Sequence, residues 1–233
     1  MADSFSGKLA ALVRDLGLSG ALCYALQRAG ARSGGLLSAH RYHFIVQPVA
    51  HGPVLPAHRG RSIDVRRLDP QDPVLLALPL DRAVLAYRAA QGAVCFGAFK
   101  NDAIIGCLWL CLSSYVEDEV RCRYQPAPAG EASWDFDVYV VPAQRSGPAF
   151  GRLWDEANAF LRQQGVACSW SRISAFNPAS LASHARLGAR IAGRATFLRL
   201  GPCQLMIASL PPYRHLSFRD HNKPSIILRA PAD

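Results

Sequence analysis

The residues between Asp135 and Gly151 are where this sequence gathers groups able to do chemistry together. Asp135-Phe136-Asp137-Val138-Tyr139-Val140-Val141 reads as a strand. Pro142-Ala143-Gln144-Arg145-Ser146-Gly147 reads as a small-residue turn, and a long amphipathic helix follows. A strand that feeds a helix through such a turn presents unpaired backbone N–H groups at the helix start. Those groups and the helix dipole suit a phosphate or pyrophosphate. Gly147, Ala149 and Gly151 keep side chains clear, and Arg145 adds a permanent cation. Taken alone, the same pattern is also an ordinary structural joint.

The order of what comes next is more specific. The strand ends Val140-Val141-Pro142, and Gln144, Gly147 and Ala149 fall at the spacing Gln-x-x-Gly-x-Ala. Downstream stand Ile173-Ser174-Ala175-Phe176-Asn177, then Ser180, then Leu187-Gly188-Ala189. In these motifs the sequence resembles the GNAT (N-acetyltransferase) superfamily, firmly from Asp135 to Leu200 and loosely from Ser62 to Tyr124. The resemblance implies an α/β fold with a mixed central sheet and, here, an N-terminal helical extension. It implies acetyl-CoA or a longer acyl-CoA as co-substrate, an amine acceptor and no metal. An acyl carrier protein as donor is a close variant.

The resemblance also distributes roles. The N–H groups of Val140 and Val141 would serve the oxyanion and pantetheine. Gln144, Arg145, Ser146, Gly147, Ala149, Phe150 and Gly151 would hold the phosphates, with Asn177 further along the donor. Pro148 stands where a glycine usually donates its N–H, which proline lacks. Many family members carry a tyrosine acid on the short helix seven residues after the Asn, and that position here is His184, a residue able to donate a proton near neutrality. The same histidine also reads as an ordinary helix-surface residue. Phe136 occupies the place of the family's glutamate base. Its neighbours Asp135 and Asp137 share one face of an alternating strand and could relay a proton or pair with Arg121 or Arg123. The run Glu117-Asp118-Glu119-Val120-Arg121-Cys122-Arg123 mixes both charges, so Glu119, Arg121 and Arg123 are expected to border the acceptor. A solvated edge strand with cross-strand ion pairs is the other reading.

These groups need a scaffold. A helix from Pro148 to Gln164 carries the stripe Phe150, Leu153, Trp154, Ala157, Phe160 and Leu161, closed by Gly165. Strands are expected at 41–49, 62–68, 93–99, 103–115, 120–124, 134–141, 167–175, 190–200 and 204–210. Lys100-Asn101-Asp102 forms a hairpin turn, and 73–91 is largely helical. Residues 1–60 read as an extension containing a helix, a strand and a linker. Residues 61–210 form the acyltransferase-like domain and 211–233 a tail. The helix of the extension spans 4–31, with Leu9, Leu12, Val13 and Leu16 on one face. It packs on the domain or, in a second reading, makes peripheral membrane contact.

Composition bounds the alternatives. The 233 residues are 50% hydrophobic and 18% charged, a globular balance. A formal net charge of +9, from 26 Lys+Arg against 17 Asp+Glu, favours anionic ligands or an acidic partner. It also raises nucleic-acid binding as a third class, without a recognition-helix pattern or basic aromatic strands to support it. A non-catalytic module that binds a CoA thioester is the second class. Seven scattered cysteines without metal-ligand spacing point to reduced thiols, and no secretory signal opens the chain, so a cytoplasmic location is expected. His40, His43, His51 and His58 fit no standard metal spacing.

Overall fold

The computed structural model describes residues 17, 20–27, 30, 36–56 and 58–229. The apolar face expected at Leu9, Leu12, Val13 and Leu16 lies outside them, while residues 20–27 are helical. Among the described residues twelve strands follow: β1 (Leu37–Pro48), β2 (Asp64–Leu68), β3 (Val94–Lys100), β4 (Ala103–Cys111), β5 (Tyr115–Val116), β6 (Arg123–Ala127), β7 (Ala132–Val140), β8 (Cys168–Ser174), β9 (Arg190–Leu200), β10 (Cys203–Ala208), β11 (Arg214–Ser217) and β12 (Ser225–Arg229). Between them lie helices α1 (Arg82–Ala90), α2 (Ala149–Gln163) and α3 (Pro178–Ala185).

Nine strands form one mixed sheet in the order β11-β10-β9-β1-β8-β7-β4-β3-β2, and β12, β6 and β5 form a smaller second sheet. The expected mixed α/β architecture is the one observed. Every neighbouring pair in the large sheet is antiparallel except β7 and β8. β3 and β4 are apolar at almost every position because both their faces are covered. On one face α2 buries Leu153, Trp154, Ala157 and Leu161 against Leu108, Leu110 and Phe96. The other face carries an aromatic core of Tyr42, Phe44, Trp109, Tyr115, Tyr124, Trp134, Trp170 and Phe197. Gly165, with φ of +75°, ends α2 in the left-handed conformation that glycine adopts without a Cβ penalty.

The structure differs from the expected layout at three places. β1, placed by sequence in an extension before residue 60, is an interior strand hydrogen-bonded on both edges, to β8 and to β9. Its centre, Phe44 to Val46, is accordingly buried on both sides. The strand expected at 120–124 begins instead at Arg123, because Glu117 N–H bonds to the Cys122 carbonyl and closes the intervening residues into a loop. The tail after residue 210 supplies β11 to the large sheet and β12 to the small one.

Candidate functional site

β7 and β8 run parallel and pair only at Ala132 with Cys168, Ser133 with Ser169 and Trp134 with Trp170. Beyond Trp134 each stays attached to its outer neighbour: β7 to β4 as far as Val140, β8 to β1 as far as Ser174. The two strands therefore part and leave a wedge between unpaired edges. Within it β7 carries a bulge. Trp109 opposes Phe136 and Cys107 opposes Tyr139, so three steps on β7 match two on β4, and Asp137 takes up the difference at φ +49°.

The bulge separates the two aspartates that simple alternation would put together. Asp135 is buried, accepts a 2.6 Å hydrogen bond from Ser169 Oγ, and is pushed by burial up to about 7 against the pull of the Ser169 and Ser171 hydroxyls. Asp137 is exposed and ion-pairs with Arg88 of α1 at 2.8 Å. Neither pairs with Arg121 or Arg123.

At the end of β7, Val141 N–H is donated to the Ile105 carbonyl on β4. Antiparallel alternation then turns the N–H of Val140 toward the wedge. Of the two donors expected at this edge, Val140 is the one that faces it. The turn uses several of its own amides: Gln144 N–H bonds Val141 O, Arg145 N–H bonds Pro142 O, and Gly147 N–H bonds Gln144 O. Arg145 folds back, its Nε 3.0 Å from Val140 O and its guanidinium over the Tyr139 ring. α2 then starts behind Pro148 with no side-chain cap, so the N–H groups of Ala149, Phe150 and Gly151 are its orphan donors. Leu55, from the loop after β1, occupies the space a side chain at Gly151 would need.

Asn177 caps α3, its Oδ1 accepting from Ser180 N–H at 3.0 Å. His184 is buried, with Nδ1 3.0 Å from Gln47 Oε1 and its ring edge-on to Phe150 and Trp154. Burial lowers its pKa to about 4. A ring that is neutral at pH 7 and bonded to an amide oxygen holds α3 against α2 and β1. It has no imidazolium proton to deliver to a thiolate, so this setting does not fit the expected acid.

On the sheet face away from α2, the wedge opens into a cavity of about 230 Å³. Phe136 and Asp137 of β7 and Arg172 of β8 line it from the two parted strands, Arg88 from α1, and Tyr115 with Glu117, Asp118 and Glu119 from β5 and the loop after it. Arg172 is the hub. It bonds Glu117 at 2.7 and 2.9 Å, reaches Glu119 at 2.8 Å, and lies over the Tyr42 ring. Tyr42 donates to Glu119 at 2.7 Å, and His40 Nδ1 sits 3.1 Å from the same hydroxyl. Burial alone would raise Glu117, but the Arg172 charge and hydrogen bonds overturn that and hold it at about 2. Asp118 moves the other way, to about 6, through burial and the adjacent Glu117 carboxylate. Glu117, Asp118 and Glu119 also line a second cavity of about 380 Å³ that extends to Arg199 and Lys223.

Of the three expected acceptor residues, only Glu119 reaches the first cavity. Arg121 is a staple, donating to the carbonyls of Pro202, Ser217 and Phe218, and it lines only the second cavity. Arg123 lies on β6 with its guanidinium 3.3 Å from Ser114 Oγ. Sequence reasoning missed Arg88, Arg172 and Tyr42. One signal was present for Arg172: in Trp170-Ser171-Arg172 it alternates onto the same face as a buried tryptophan.

No protein-family model matches the chain, and no curated protein matches it. Solved structures do. The chain is similar to a GNAT-family protein from Novosphingobium aromaticivorans (16% identity over 68% of this chain and 62% of that one, TM-score 0.46). A Drosophila protein matches at 19% identity over 75% of this chain and 56% of that one, with a TM-score of 0.49. A tandem GNAT protein from the clavulanic acid biosynthesis pathway matches at 18% identity over 72% and 56%, with a TM-score of 0.47. The chain thus spans 56–62% of the length of these three structures. The solved structures similar to this chain include members of the family that its motifs resemble.

Proposed function

We propose that the protein is a GNAT-type acyltransferase that moves an acyl group from a CoA thioester to an amine. One observation carries the reading: the wedge between β7 and β8 joins an uncapped helix start on one side to an acidic, arginine-braced cavity on the other. The pyrophosphate sits at the orphan N–H groups of Ala149, Phe150 and Gly151, with Arg145 and Ser146 beside it. The pantetheine arm lies along the free edge of β7, and Val140 N–H faces the thioester carbonyl, where negative charge develops as the tetrahedral intermediate forms. The amine reaches the same carbon from the cavity side. With His184 neutral and buried, the proton for the departing thiolate comes from the attacking ammonium itself. An acyl carrier protein would present the same phosphopantetheine arm.

The test is release of free thiol from acetyl-, octanoyl- and palmitoyl-CoA with a panel of small amines, followed with mass spectrometry of the acylated product. Turnover with at least one donor–amine pair is expected. Binding of CoA, seen as a thermal shift, without release of thiol from any pair would leave a non-catalytic binding module instead.

A further inference from the structure

Resting on that reading, we propose that the acceptor is a small amine that enters the 230 Å³ cavity as its ammonium ion, and that Asp118 is the base that removes its proton. Four carboxylates line the cavity against two guanidiniums, which favours a cation over an acidic acceptor. Three of the four are committed. Glu117 is clamped by Arg172, Glu119 by Arg172 and Tyr42, and Asp137 by Arg88. Among the described residues Asp118 has no ion-pair partner. It stands at the junction of the two cavities, between the parted strands and the open second cavity. The stacked rings of Tyr115 and Phe136, 4.3 Å apart, supply an aromatic wall against which an ammonium is stabilised.

The chemistry balances without a further reagent. Asp118 carboxylate takes one proton from R–NH3+, leaving R–NH2. The nitrogen lone pair attacks the thioester carbon, the C–N bond forms and the C–S bond breaks. The remaining ammonium proton goes to the thiolate, and Asp118 returns its proton to solvent through the second cavity. Burial and the neighbouring Glu117 raise the Asp118 carboxyl to about 6, close enough to neutrality for it to exchange protons there.

A base is dispensable when the amine is already neutral, and this sets the experiment. Wild type, Asp118→Asn and Asp118→Glu are assayed at pH 7.5 with ethylamine, which is cationic, and 2,2,2-trifluoroethylamine, which is neutral. Asp118→Asn should lower kcat/KM for ethylamine by ~10²–10⁴-fold and for trifluoroethylamine by less than about 5-fold, with Asp118→Glu recovering part of the loss. Asp118 lies on a loop, and matched melting temperatures check that the variants are folded. Equal losses with both amines, or none with either, overturn the assignment while leaving acyl transfer standing. A wild type that releases no thiol with any amine removes the acyl-transfer reading and the assignment together.

Discussion

The two sides of the wedge are made from different materials. On the α2 side the candidate contacts are backbone groups: Val140 N–H and the first amides of a helix, set by a turn whose residues are neighbours in sequence. On the cavity side they are side chains from α1, β1, the loop after β5, β7 and β8, tied by ion pairs such as Arg172 with Glu117 and by the hydrogen bond of Tyr42 to Glu119. A backbone site tolerates substitution wherever the turn survives. A charged network held in a low-dielectric setting fails as a unit, because removing one partner strands the other.

That contrast can be broken most severely at Arg172. Replacing it with Met leaves Glu117 buried without its counter-charge, and urea denaturation at pH 7 should register a loss of ~3–5 kcal/mol. Glu117 is held near 2, below its unfolded value, so its stabilisation is present above the unfolded pKa and lost as pH falls through 2. In the variant, that acid limb should weaken. A cost below ~1 kcal/mol would mean the cavity side is no more fragile than the turn.

His184→Ala comes next. Removing the ring opens a void against Phe150 and Trp154 and orphans the buried Gln47 amide, at a cost of ~2–4 kcal/mol. Turnover per folded molecule, measured well below the melting temperature, should stay within about 5-fold of wild type. A ~10²-fold drop would restore the histidine to the chemistry.

Gly147→Glu tests the backbone side directly. A Cβ there meets the Gln144 carbonyl at 3.2 Å, a small intrusion, and a carboxylate near a helix start is mildly stabilising. The free protein should melt within a few degrees of wild type. Acetyl-CoA at 100 times the wild-type Kd, worth about 2.7 kcal/mol of protection to wild type, should no longer protect the variant. Unchanged protection would remove the pyrophosphate from this turn.

The smallest effect is at Asp135. Its folded pKa, raised to about 7, lies above the unfolded value, so the native state binds more protons and stability falls as pH rises from roughly 4 through 7. Asp135→Asn should therefore gain ~1 kcal/mol relative to wild type on going from pH 6 to pH 8, a few degrees in Tm. A gain independent of pH would show that the carboxyl titrates normally.

The same division explains what the sequence disclosed. The strand, turn and helix from Asp135 to Gly165 were legible because each is a local matter of alternation, small residues and a glycine stop. So was the Lys100–Asp102 hairpin turn, where Asn101 and Asp102 adopt positive φ. The bulge was not, since nothing in Phe136-Asp137-Val138 declares that a strand gains a residue relative to its neighbour. That hid the opposite orientations of Asp135 and Asp137. Arg172, Arg88 and Tyr42 were hidden because their partners are distant in the chain, and the acidic loop gives no sign of which arginine clamps it. The burial of His184 was hidden because helical position tells nothing of contact with a second helix.

The placement of β1 has a consequence in time. Tyr42 pairs with Ser174 on one edge and Ala195 on the other. β1 is made well before its two neighbours, so no native edge exists to receive it until β8 and β9 follow. The large sheet can close around β1 only after β9 has been made, and Phe44, Ile45 and Val46 remain without a core until then. Such non-local pairing slows folding. β8, the wall of the wedge that carries Arg172, therefore reaches its final setting only with β1 beside it.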